Sequence, residues 1–230
     1  MGSVERRERE RQEVRGAILG AARTIMSERG YEGLTMRAVA DRIEYSAAAI
    51  YKHFADREDL VRALCECDFY AFAQELQQRS GAKAPATPLD RLRAIGHSYA
   101  EFAIEYPEQF RVMFMTPRPI HELPGRGNPE QDAYATLEQA VGAAIAEGHF
   151  PGLPADLVAQ TAWAAVHGVV SLEVAHLSAV KRHIVFAPLA DRVEAALEGI
   201  ILGMETLGLR QKPPQKPGSK PGRRAAPRRR

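Results

Sequence analysis

Between Thr35 and Phe54 the chain reads TMRAVADRIEYSAAAIYKHF, and among the side chains there that can do chemistry Thr35, Arg37, Ser46, Tyr51, Lys52 and His53 stand out. Hydroxyls, an imidazole and two cations in this order are not a set for making or breaking bonds. They are hydrogen-bonding groups suited to phosphate oxygens and base edges. Ser46 is followed by Ala47, Ala48, Ala49 and Ile50 before Tyr51, Lys52 and His53 arrive. A helix that enters a nucleic-acid groove needs that order: little bulk at its N-terminal end, then polar groups long enough to reach. Lys52 combines length with charge and is the leading candidate to read a base.

Patterns that would signal an enzyme or a metal protein fall short. Gly96-His97-Ser98-Tyr99-Ala100 is a nucleophile elbow without its last glycine, and that elbow needs a preceding strand where the flanks here are helical. A hydrolase using Ser98 is therefore the remote rival. His97, His167 and His176 lack the spacing of metal ligands. Cys65 and Cys67 stand at i and i+2, point in different directions on a helix, and read as reduced free thiols. The expectation is a protein that is not an enzyme and carries no metal and no cofactor.

The elements that must hold these residues are all helical. Thr35 can cap a first short helix with Val39, Ala40 and Ile43 on its apolar side, and Ser46 a second with Ile50 and Phe54 one turn apart. Before them, Val14, Ile18, Ala21 and Ile25 recur at helical period up to Gly30. After them, Asp56 can cap a helix with Glu58 and Asp59 in its first turn, running to the Ser80–Gly81 break. Further helical patterns follow from Leu89 to Pro107, from Phe110 to Met115, from Tyr134 to Gly148, from Pro154 through Val174, and from Pro188 to Leu207. A Pro- and Gly-rich loop fills residues 116–129. No strand pattern occurs. The fold class is all-α, about nine helices: a three-helix helix-turn-helix domain followed by a helical effector-binding and dimerisation domain. The expected division is a flexible charged arm (1–13), the helix-turn-helix domain (14–60), the helical domain (61–209) and a disordered basic, Pro-rich tail (210–230).

Charge supports that division. The formal net charge is +2, yet residues 211–230 hold eight Lys or Arg and no acid, leaving 23 basic against 29 acidic residues elsewhere. Residues 1–66 are balanced at 12 of each sign, and residues 67–210 carry 11 basic and 17 acidic. A balanced first third and an acidic body suit a nucleic-acid binder whose second domain stays off the duplex. A sequence-tolerant DNA binder driven by the tail is the second rival. No apolar run reaches the length of a membrane span, so no membrane association is expected and the location predicted is the cytoplasm.

The order Ser46, small residues, Ile50, Tyr51, a basic residue, His53, Phe54, with Thr35, Val39, Ala40 and Ile43 before it and Arg57-Glu58-Asp59-Leu60 after it, resembles the tetracycline-repressor (TetR) family. The resemblance implies that Tyr51, His53 and Thr35 meet phosphates of double-stranded DNA. Arg37, Ser46, Ala47, Ala48 and Lys52 would meet base edges or nearby phosphates, and Arg57 would add a backbone contact. Glu44 departs from the pattern, standing where the family usually has a turn glycine, and must take up an unfavourable backbone conformation or a different turn.

Trp163 to Leu172, reading WAAVHGVVSL, and Glu101 to Phe114, reading EFAIEYPEQFRVMF, are similar to the Trp-His-Gly subgroup of that family. Such domains hold an apolar effector pocket between helices, and Tyr99, Phe102, Met113, Phe114, Tyr134, Leu137, Trp163 and His167 are candidates to line it. Gly168 would let helices approach. The final pattern carries a broad apolar stripe that the resemblance assigns to a homodimer interface: Val193, Leu197, Ile200, Ile201 and Met204, with Ala195, Gly199 and Gly203 allowing close contact. The function implied is a sequence-specific transcriptional regulator, a repressor that binds a palindromic operator as a homodimer and is released by a small apolar effector. An effector-independent or activating regulator is the alternative.

Overall fold

The structure, a computed structural model, describes residues 3–81, 87–117, 127–128, 130–175 and 184–211. Among these there are nine α-helices and no strand. They are α1 (Ser3–Arg29), α2 (Met36–Arg42), α3 (Ala47–Ile50), α4 (Arg57–Gly81), α5 (Pro88–Glu105), α6 (Pro107–Phe110), α7 (Ala133–Ala146), α8 (Ala155–Val174) and α9 (Leu189–Gln211). The basic tail from residue 212, most of the 116–129 loop and His176 lie outside the described residues.

Local chemistry explains the helix ends. Thr35, Ser46 and Thr87 accept from the backbone N–H three residues on, at 3.0, 3.2 and 3.1 Å. Asp56 accepts from Asp59 N while Asp59 accepts from Ala55 N, so α4 is capped from both sides. Pro88 and Pro107 open α5 and α6, where a missing N–H costs nothing. Two expectations are refined. Residues 3–13, an arm that the sequence reads as flexible or an extended helix, form the first turns of α1, where exposed Glu and Arg alternate and Gln12 donates to Glu8 one turn back. The short helix expected at Phe110–Met115 becomes a π-helical turn over Arg111–Met115, closed by Thr116 Oγ1 donating to Arg111 O.

Two cores result. The first joins Ile18, Ala22 and Ile25 of α1, Val39 and Ala40 of α2, Ile50 and Phe54, and Leu60 to Cys65 of α4. The second runs from Phe72 and Leu76 of α4 through α5, α7 and α8 to Val193 and Met204 of α9. α4 serves both, its first turns in one core and its middle, at Phe72 and Leu76, in the other. Glycine is required at two close approaches of α9: a Cβ on Gly96 of α5 would stand 2.6 Å from a methyl of Leu197, and one on Gly208 would stand 2.5 Å from the backbone oxygen of Pro151.

Candidate DNA-reading surface and internal cavity

The helix-turn-helix is built as the caps dictate. Backbone N–H groups of Ile43 and Tyr45 close α2 onto Val39 and Ala40, and the chain then turns at Glu44, whose φ is +58°. A side chain in this left-handed region costs about 1–2 kcal/mol, and Glu44 bears that cost where a glycine was expected. α3 is only four residues long, but Tyr51 N and Phe54 N still reach Ala47 O and Ile50 O, so Tyr51, Lys52 and His53 continue its helical path.

Of the DNA-binding residues named from the sequence, Thr35, Arg37, Ser46, Ala48, Tyr51 and Lys52 are exposed, and Ala47, His53 and Arg57 are half-buried. The hydroxyls of Thr35 and Ser46 already serve as caps. The Arg57 guanidinium lies 4.3 Å above the Tyr31 ring. Arg37 is within 3.9 Å of Asp41. His53 is half-buried with Nδ1 enclosed and no hydrogen-bond partner. Burial pushes its pKa below the usual histidine value, and the charges of Arg11, Arg15 and Lys52 push it further. Sequence reasoning missed Arg11, Arg15 and the exposed Tyr45. The i, i+4 spacing of the two arginines on α1, one of them over the Phe54 ring at 4.3 Å, is the signal that could have found them.

The second core is hollow. A cavity of about 740 Å³ lies between α4, α5, α7, α8 and α9. Of the candidate pocket residues, Tyr99, Phe114, Tyr134, Leu137 and Trp163 line it. Phe102, Met113 and His167 do not. Phe102 is packed among core rings between Phe72 and Tyr106, Met113 is buried in the core, and His167 stands behind Tyr99. Sequence period set the helices but not which side of each would face empty space.

His167 is the centre of a polar chain. Its Nδ1 is 2.6 Å from Tyr99 Oη and its Nε2 is 3.1 Å from Ser171 Oγ. Trp163 Nε1 points at Tyr99 Oη over 3.4 Å. Burial alone lowers the pKa of His167 and raises that of Tyr99, so both are neutral near pH 7.

The interface residues expected on the last helix need correction. Val193, Leu197, Ile201 and Met204 point into the protomer's own core, and Ile200 with Leu197 and Ile201 lines the cavity. The stripe is broad because it covers both a core and a cavity wall. The outward face of α9 instead carries Ala195, Gly199, Leu202 and Gly203, with Leu202 70% exposed. Gly168 on α8 has open space beside it and separates no helices. α8 is also more apolar than anticipated: its 20 residues, with a window of mean hydropathy 1.3, have the length and composition of a membrane span. Yet Val158, Ala159, Val166, Val170 and Val174 pack into the core, and Leu157, Ala164, Gly168 and Leu172 face outward.

Ser98, the remote nucleophile, sits mid-way along α5 with its hydroxyl donating to Ala94 O at 2.7 Å. Neighbouring His97 turns outward to Glu194.

Comparison with known proteins agrees with this arrangement. Residues 18–64 match the family described as bacterial regulatory proteins, tetR family, and residues 92–199 match the tetracyclin repressor-like C-terminal domain. The transcriptional repressor KstR2 of Mycobacterium tuberculosis is 28% identical over 166 residues, covering 66% of this chain and 79% of that protein. The transcriptional repressor AcnR of Corynebacterium diphtheriae is 40% identical over 60 residues, 26% of this chain and 32% of AcnR. A solved structure of a protein of unknown function from Rhodococcus sp. RHA1 superposes with a TM-score of 0.65 at 26% identity, over 83% of this chain and 95% of that one. With both halves matched and the reading head built as the motif requires, the chain belongs to the TetR family of DNA-binding transcriptional regulators.

Proposed function

We propose that the chain is a homodimeric repressor acting in the cytoplasm, which binds a palindromic operator and is released when a small apolar effector enters the cavity. Its C-terminal half is assigned to the Trp-His-Gly subgroup on Trp163, His167 and Gly168. One observation carries the coupling. The segment from Pro107 to Met115 belongs to both cores: Phe110 and Met113 are buried in the hollow one, Phe114 lines the cavity, and Val112 is buried in the reading head. Arg111 donates to Ser27 of α1 at 3.0 Å, and Thr24 of α1 donates to Glu108 at 3.3 Å. A ligand that displaces Phe114 therefore pulls on α1, and only its preference for one of the two arrangements can drive the change.

The dimer reading rests on α8 and α9. Leu157, Ala164, Gly168 and Leu172 with Ala195, Gly199, Leu202 and Gly203 leave an apolar, low-relief face of two helices facing solvent. A single reading head contacts too little DNA for specificity, and a two-fold pair reading an inverted repeat corrects this. Selection from a random DNA pool by the full chain tests the reading. It should enrich an inverted repeat, and transcription from a promoter carrying that repeat should fall when the protein is added. No enriched sequence would overturn the operator reading, and a rise in transcription would make the protein an activator. Leu202→Glu should sediment as a monomer and lose the site.

A further inference from the structure

The cavity walls say which effectors can enter. Among the described lining residues there is no Lys or Arg, and the carboxylate of Asp132 is already used. One of its oxygens accepts from Tyr134 N and the other from Gly127 N, each at 2.9 Å, as the cap of α7. Among the described lining residues a buried anion would meet no counter-charge and a buried cation no free carboxylate; either is costly. The remaining wall is largely aromatic near α8, where Phe72 packs edge to face on Tyr99 and Phe114, and Trp163 on Phe114 and Tyr134, and aliphatic toward α9 through Leu92, Ile95, Leu197 and Ile200.

The aromatic end has a defined hydrogen-bonding sense. We assign the 2.6 Å contact between Tyr99 Oη and His167 Nδ1 as Tyr99 donating and neutral His167 accepting. Nε2 then holds the imidazole proton and donates to Ser171 Oγ. The proton of Tyr99 is thus committed to His167, and its oxygen faces the cavity as an acceptor. The neighbouring indole N–H, 3.4 Å from that oxygen, is held too loosely to be saturated. An acceptor and a donor side by side, on a wall whose other polar side chains are Gln131, Asp132 and the unpartnered hydroxyl of Tyr134, match a group that is both.

We propose that the effector is an uncharged apolar molecule bearing a hydroxyl group, and that this hydroxyl accepts from Trp163 Nε1–H while donating to Tyr99 Oη. This rests on reading the cavity as the effector site. His167 and Ser171 are positioning residues: they fix which way Tyr99 turns its proton and do not themselves line the cavity.

Trp163 is the single tryptophan of the chain, so its fluorescence reports the site directly. The full chain is titrated with four probes sharing a decyl or decanoyl chain: decyl alcohol, methyl decanoate, decanoate and decyltrimethylammonium. Decyl alcohol should bind tightest, methyl decanoate, an acceptor only, roughly tenfold weaker, and the two ions should not bind in the cavity. Tyr99→Phe should bring the alcohol down to the level of the ester and leave the ester unchanged. If that variant does not fold, Ser171→Ala, which removes the partner of Nε2, should narrow the same alcohol-to-ester ratio. Decanoate or decyltrimethylammonium binding as tightly as the alcohol, or a ratio unmoved by these variants, overturns the hydroxyl assignment. Ala162→Phe fills the cavity and separates this result from failure of the cavity reading. Quenching that survives it places the ligand elsewhere and overturns both, as does silence from all four probes with the wild-type chain. Quenching lost in Ala162→Phe but indifferent to the head group overturns the hydroxyl alone.

Discussion

His53 and His167 both lose basicity on folding, for reasons that separate the two halves of the molecule. At His53 burial acts together with Arg11, Arg15 and Lys52, so the ring sits inside a field that attracts an anion. At His167 burial acts alone, with only Tyr99 and Ser171 as polar neighbours. The reading head has a filled core and turns its chemistry outward to a charged surface. The second domain has its polar groups inside, facing an apolar hollow. The proposed regulator would need both, because a charged ligand and an uncharged one bound at opposite ends can be linked only through the packing between them.

That packing is where the largest effect is expected. Asp68 of α4 is 1% exposed and accepts from Arg23 of α1 through Nε at 3.1 Å, with Gln109 beside it at 3.4 Å. Removing one partner of a buried pair strands the other charge. Arg23→Ala should cost about 3–5 kcal/mol of stability in urea unfolding, and Asp68→Asn with Arg23→Met should recover much of it. A loss under about 1 kcal/mol would show that the join is solvated and weak. The contrast between filled and hollow cores is tested by one deletion made twice. Ile18→Ala, at a fully buried site, should cost about 2–5 kcal/mol, and Ile200→Ala, on the cavity wall, about 1 kcal/mol, since its side chain already borders empty space. Equal costs would mean that the cavity collapses around the smaller side chain.

The two halves were also unequally legible in the sequence. Caps and fixed spacing determine where Thr35, Ser46, Tyr51 and Lys52 lie, because those are properties of four or five consecutive residues. The left-handed Glu44 could be read the same way, from one residue out of place. The cavity could not. Whether Phe102 or Phe114 borders it depends on how α4, α5 and α8 rotate against each other, and both residues sit at equally good helical positions. On α9 the small residues Ala195, Gly199 and Gly203 do lie outward, but Val193, Leu197 and Met204 make the stronger apolar stripe, and the core takes the stronger stripe first. What is left facing solvent is then the weaker one, marked by small residues and Leu202.

Within the reading head the effects are smaller and more specific. Lys52 is exposed, and Lys52→Ala should lower operator affinity by about 1–3 kcal/mol while relaxing preference at one base position. A uniform loss across sequences, with the salt dependence reduced by about one unit, would make it a phosphate contact instead. Glu44→Gly removes the strain of the turn at φ +58° and a negative charge beside the duplex. It should raise stability by up to about 1 kcal/mol, the αL penalty less the entropy that glycine brings to the unfolded chain. It should also tighten non-specific binding, as measured on a scrambled duplex.

The smallest effect distinguishes the two histidines most directly. In the free protein burial and three cations keep His53 neutral at pH 7. Its folded pKa lies below the unfolded value of about 6.5, so the unfolded chain binds the extra proton first, and stability falls as pH drops from that value through the lowered folded one. A phosphate placed against the ring opposes Arg11, Arg15 and Lys52 and raises the pKa again. Operator binding then takes up part of a proton, and affinity must rise as pH falls from about 8 to about 6, by less than tenfold per unit. His167 has no anion to meet, so it should contribute no such slope. Anisotropy titrations of the wild-type chain, His53→Gln and His167→Gln across that range read the difference. The slope should vanish in His53→Gln and persist in His167→Gln. A wild-type profile as flat as that of His53→Gln would mean that the cations around His53 stabilise the reading head without delivering the ring to a phosphate.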